Sequence, residues 1–97
     1  MHAVGSAMHA VVTNVNVKDE DAGTARLRDE IVPQVSAAPG FVAGWWVRLP
    51  NGKGTSTMVF ESESAAQDVA NMIRDRPAAD DAVTIETMEV GEVVANA

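Results

Sequence analysis

The chain contains no cysteine. This excludes a disulfide framework and thiolate chemistry, though it does not by itself exclude export. Histidine is almost as scarce: His2 and His9 are the only two, and both lie in the leading segment. A metal site draws on three or four converging ligands, so none is expected here. Seven basic residues stand against fourteen acids, for a net charge of −7. The bases never cluster, so there is no stripe of positive charge to follow nucleic-acid phosphates. Anionic membranes are disfavoured for the same reason. No apolar run approaches the roughly 20 residues that span a bilayer. The opening MHAVGSAMHA has neither a basic leader nor a long apolar stretch, so it does not read as a secretory signal. A soluble, cytoplasmic protein without nucleic-acid or membrane partners is expected. The motifs G-x-S-x-G and H-E-x-x-H are missing, as is a phosphate loop. Gly52-Lys53-Gly54 follows Pro50-Asn51 in a turn, with no helix at the spacing a phosphate cradle needs.

What the chain does have is concentrated in residues 40–62, GFVAGWWVRLPNGKGTSTMVFES. Phe41, Ala43, Trp45, Val47 and Leu49 alternate with Val42, Gly44, Trp46 and Arg48, the period-two pattern of a strand. Thr55 to Phe60 is again rich in strand formers, and Pro50, Asn51 and Gly52 between the two runs dictate a turn. The connection is too short for a parallel crossover, so the pair is an antiparallel hairpin. Both of its faces are apolar. The odd-numbered set is expected to meet helices. The even-numbered set, Val42, Gly44, Trp46 and Arg48, is expected to meet a second subunit, with Gly44 admitting a close backbone. The other reading of Trp46 is a half-exposed surface aromatic. Arg48 reads as a rim or intersubunit ion-pair residue, or as a clamp for an acidic ligand.

Around the hairpin the elements fall in a simple order. Residues 1–8 read as a flexible terminus. Residues 10–17 form a strand with Val11, Thr13, Val15 and Val17 on one face and Val12, Asn14 and Asn16 on the other. Asparagine is unfavourable inside strands, so that second face borders water, a polar interface or a pocket. A loop bearing Asp19-Glu20-Asp21 leads to a helix over residues 22–35, with Asp21 or Thr24 as its cap. Leu27, Ile31, Val32 and Val35 form its apolar stripe. Pro33 is expected to kink or end it. A second helix over residues 62–76, capped by Ser62 or Ser64, buries Ala65, Ala66, Val69, Met72 and Ile73. An exit loop follows over residues 77–81. The last strand covers residues 83–90, with Gly91 as an interruption and residues 91–97 as a final strand or arm. The acids at 19–21, at 80–81 and at Glu86, Glu89 and Glu92 are either a solvated surface or a cation site.

The order β-α-β-β-α-β is the ferredoxin-like α+β motif in a single domain over residues 1–97. Right-handed crossovers place both helices on one face of an antiparallel sheet and leave the other face open. Covering that face with a twin would stabilise a small domain, at about 25 cal/mol per Å² of apolar surface buried.

This arrangement resembles the dimeric α+β barrel superfamily, in particular the antibiotic-biosynthesis-monooxygenase-like domains. The resemblance is carried by the first strand with Asn14, by APGF at 38–41 leading into GWWVRLP, by FES at 60–62, and by the late strand followed by VGEVVA. It covers nearly the whole chain. It implies a homodimer with sheets face to face and a ligand cavity in each subunit between sheet and helices. The activity it implies is cofactor-free oxidation of a small apolar aromatic molecule. Once deprotonated, such a substrate supplies its own electrons to oxygen. On this reading Trp45 stacks on the ligand, Asn14 orients an oxygen, and His9 is the near-neutral base. Some relatives cleave haem with a strand-one asparagine, a tryptophan and a histidine on the second helix. Asn14 matches the first, but the second helix here has no histidine and the tryptophans lie on strand two, which counts against haem ligation. The alternative is a non-catalytic homodimeric module that binds a small molecule or supports a partner.

Overall fold

Four antiparallel strands run in the order β2-β3-β1-β4. In chain order the elements are β1 (His9–Val17), α1 (Glu20–Arg26), a π turn (Leu27–Ile31), α2 (Val32–Ser36), β2 (Phe41–Leu49), β3 (Lys53–Phe60), α3 (Glu63–Asp75) and β4 (Val83–Glu92). This computed structural model describes residues 7–75 and 83–97. The expectation of a flexible start falls largely outside these residues, as do the 77–81 exit loop and Asp80-Asp81. The β-α-β-β-α-β order is the ferredoxin-like one.

The helices cover one face of the sheet. Val35 of α2 and Ala66, Val69 and Ala70 of α3 are buried against Val11 of β1 and Met58 and Phe60 of β3. β1 divides as its alternation implies: Val11 and Thr13 are buried, whereas Val12 and Asn14 are exposed. Thr13 and Ser56, opposite one another, share a buried hydroxyl–hydroxyl hydrogen bond within this layer. Asn51 and Gly52 both take positive φ, 65° and 70°, and turn the hairpin tightly.

Helix entry and exit differ from expectation in detail. Asp19, not Asp21 or Thr24, caps α1, its Oδ1 accepting from the Ala22 N–H at 3.0 Å. Ser62 caps α3, its Oγ accepting from the Ala65 N–H at 3.2 Å. Pro33 does not end the first helical run, which continues to Ser36. The irregularity lies before the proline, where the Val32 N–H reaches back five residues to the Leu27 carbonyl. Proline brings no N–H and its ring crowds the carbonyl one turn back, and a widened turn accommodates both. Gly91 stays in β4 opposite Ala10 rather than interrupting it. Beyond Glu92 the Val93 N–H continues the pairing, donating to the Met8 carbonyl at 2.8 Å. Residues 94–97 form no regular structure, and Val94 is 90% exposed.

Phe41 packs against the core as expected, but beyond it the two faces of β2 are the reverse of the sequence expectation. Phe41 pairs with Phe60, but Ala43 pairs with the next residue along β3, Val59, so Val42 is an extra residue in the ladder. Such a bulge shifts the alternation by one and exchanges the faces of all that follows. Gly44 and Trp46 therefore lie opposite Met58 and Ser56 on the helix-covered face, and Trp46 packs against the core. Gly44 makes room for this chain's own Trp46, whose ring would come within 2.8 Å of any Cβ placed there. Arg48 donates to Thr24 Oγ1 at 3.0 Å and pairs with Glu20 at 3.8 Å, both in α1 of the same chain.

Candidate functional site

The reversal places Trp45, Val47 and Leu49 on the uncovered face of the sheet. Trp45 is 57% exposed, Val47 47% and Val12 39%. Cross-strand register fixes their neighbours. One row across this face runs Trp45, Thr57, Val12, Glu89, and the next runs Val47, Thr55, Asn14, Thr87. Asn14 and Trp45 thus share a face. They lie on strands two apart, roughly 10 Å at the usual strand spacing. The Asn14 Nδ2 donates to Thr87 Oγ1 at 3.0 Å, which fixes the amide's orientation on the sheet. The surface is apolar at Trp45, Val47 and Val12, and a ladder of amide and hydroxyl groups crosses it.

His9 belongs to the opposite face, at the far end of β1, opposite Phe60 and Glu92. It is half-buried, and its Nδ1 lies 3.1 Å from the Ala7 carbonyl. A carbonyl only accepts, so Nδ1 is the donor in this contact. The structure puts Asn14 and Trp45 on one face of the sheet and His9 on the other. The expected interface residues Gly44, Trp46 and Arg48 are on the helix side, where Arg48 is exposed beside α1, and Val42, at the bulge, is 47% exposed.

Toward the hairpin, Lys53 spans three strands on the open face. Its Nζ donates to Asn16 Oδ1 at 2.6 Å and to Glu86 Oε1 at 3.3 Å. Glu86 is the extra residue where the β1–β4 register shifts between Asn14 and Val15. Hydrogen bonding with Asn16, and then with Lys53, holds the Glu86 carboxyl below its ordinary value. A carboxylate with a depressed folded-state pKa adds stability above its unfolded pKa. That stability is lost as pH falls through the folded value. Asn16→Ala and Lys53→Met should each shift the Glu86 titration to higher pH, read from its side-chain carboxyl carbon by NMR. An unchanged midpoint in both would show that the cluster does not hold the charge.

On the helix side, a cleft of about 520 Å³ opens between the end of α2 and the start of α3. Ala38, Pro39, Ala65, Val69 and Met72 form its apolar wall. Sequence periodicity did not reveal it, because the small residues at 37–40 read only as a connector. Among the described residues no three His, Asp or Glu side chains converge as a metal site, and no helix is long and apolar enough to cross a membrane.

No protein-family model and no curated protein matches the sequence. Among solved structures, the chain is similar to MupZ from Pseudomonas fluorescens, with a TM-score of 0.67 and 12% identity over 93% of this chain and 71% of that one. It is similar to a dimeric ferredoxin-like protein from an uncultured marine organism, with a TM-score of 0.65 and 11% identity over 94% of this chain and 99% of the other. A heme-degrading protein from Mycobacterium tuberculosis, in heme-free form, gives a TM-score of 0.57 and 24% identity over 94% and 97% of the two chains. At these identities the likeness concerns the backbone, and it establishes the ferredoxin-like α+β fold of this chain.

Proposed function

We propose that the protein is an antibiotic-biosynthesis-monooxygenase-like homodimer that pairs through its open sheet face and handles a small apolar aromatic molecule there. The observation that carries this reading is the exposed set Trp45, Val47 and Val12 on the same face as Asn14. Four strands of about 4.8 Å spacing, each some nine residues long, present a face on the order of 20 by 30 Å. That is close to the roughly 800 Å² per partner of a standard stable interface. A ferredoxin-like neighbour that is itself dimeric supports a homodimer. Between two such sheets Trp45 offers a stacking surface and Asn14 a polar anchor in a layer shielded from water, where hydrogen bonds to a developing oxyanion gain strength. The reaction class is oxidation by molecular oxygen: the deprotonated aromatic supplies the electrons, one oxygen atom enters the product as a ring carbonyl, and the other leaves as water. Haem chemistry is not proposed, although one neighbour degrades heme, because α3 carries no histidine to ligate iron.

One observation favours the non-catalytic reading. His9 is on the other face, so the sole imidazole among the described residues does not meet Asn14 and Trp45. A titration with hydroxylated polycyclic aromatics, following tryptophan fluorescence and oxygen uptake together, separates the two. Saturable binding with uptake that falls in Asn14→Ala and Trp45→Ala supports the oxygenase. Binding without uptake supports the binding module. A monomer at high micromolar concentration that neither binds nor consumes oxygen would overturn both.

A further inference from the structure

We propose that the helix-side cleft is a second binding site, for a small cationic amphiphile with an aromatic or aliphatic body and an amine. It lies on the opposite side of the sheet from Trp45 and Asn14 and does not depend on what happens there. Its volume, about 520 Å³, falls within the range of roughly 300–1,000 Å³ typical of small-molecule sites. The apolar wall named above suits the body of such a ligand, and Met72 adapts its shape to what it meets. The rim carries the carboxylates of Glu61 and Asp68, and none of the described lining residues is basic. An amine therefore meets complementary charge at the rim, and an anion meets repulsion. The positive end of α3 does not reverse this preference, because Ser62 already caps it and Glu63 occupies its first turn.

Two features hold the walls in place. The Glu61 N–H donates to the Gly40 carbonyl at 2.8 Å, tying the α2–β2 connector to the start of α3. Gly40, at φ 83°, lies so close to α3 that a Cβ there would sit 3.0 Å from the Ala65 Cβ. These links fix the connector against the start of α3 along one side of the cleft.

The test uses naphthylethylamine, with naphthylethanol and naphthylacetate as the neutral and anionic counterparts. Affinity is read by calorimetry, and location by the Met72 methyl and the Trp45 indole in NMR spectra of the full chain. The amine should bind more tightly than the alcohol and the acetate should bind least, with shifts at Met72. Glu61→Gln and Asp68→Asn should each weaken the amine by about threefold to fivefold, the worth of one exposed charge pair, and leave the alcohol unchanged. Ser64→Trp, a rim change outside the core, should abolish amine binding while light scattering and circular dichroism stay as in the wild type. Equal binding of amine and acetate, shifts at Trp45 rather than Met72, or full affinity in Ser64→Trp would each overturn the proposal. Light scattering tests the dimer separately, so either reading can fail without the other.

Discussion

Trp45→Asp should leave the protein folded and separate the proposed dimer into monomers, whereas Trp46→Asp should unfold it. The two tryptophans are adjacent, yet the sheet separates them. Trp45 is 57% exposed on the face without helices. Trp46 packs on the buried cluster with its ring across Gly44. Truncating a central interface tryptophan typically costs about 2 kcal/mol or more, some 30-fold in dissociation constant. Aspartate adds the penalty of a charge taken from water without a partner, so at micromolar concentration the subunits should separate. At Trp46 the same charge would enter the core layer, where removing a large aromatic alone costs roughly 3–5 kcal/mol. That is a large part of the roughly 5–15 kcal/mol that holds a domain together. Light scattering and thermal melting on the two variants decide the matter. A dimeric Trp45→Asp protein would rule out the open face as the interface, and a folded, monomeric Trp46→Asp protein would mean that the faces of β2 are the other way round.

The exchange of these two roles shows where sequence reasoning stopped. Alternation in β1 was legible because no bulge interrupts its pairing with β3, and Val11 and Thr13 separate cleanly from Val12 and Asn14. Asn51-Gly52 announced its turn because positive φ at two successive residues favours those side chains. In β2 the alternation was equally clear, but it fixes only which residues share a face, not which face meets the helices. The extra residue at Val42 also breaks the link between Phe41 and Trp45 that the pattern implied. A bulge depends on the partner strand and leaves no period in the sequence. Of the candidate site, the polar character of the Asn14 face could be read locally. Its union with Trp45, its separation from His9, and the Lys53–Asn16–Glu86 cluster depend on register between strands that are distant in the chain. The widened turn before Pro33 is a similar case. The proline signalled a disturbance, but packing of Ile31 and Val35 on the core kept the helix going through it.

Phe60→Ala should be the most destabilising single truncation in the core. Phe60 has no exposed surface and is among the largest fully buried side chains. It meets Phe41 edge to face, ring centroids 5.8 Å apart at 73°, a geometry worth about 0.5–1.5 kcal/mol beyond area alone. It also ends β3 one residue before Glu61, whose N–H ties the connector to α3. Loss of the ring should cost roughly 3–5 kcal/mol. At about 4–8 °C per kcal/mol for a domain of this size, the melting temperature should fall by at least about 12 °C. The proposed dimerisation would add to apparent stability by mass action, so the comparison is made at one protomer concentration and repeated in the Trp45→Asp background. Phe60 and Trp45 face opposite sides of the sheet, so their effects should add. In the Trp45→Asp protein the dependence of melting on concentration should vanish while the drop caused by Phe60→Ala persists. If that drop shrinks to under about 1 kcal/mol in the monomer, the ring acts through the assembled dimer, and the core described around Val11, Met58 and Val35 does not rest on it.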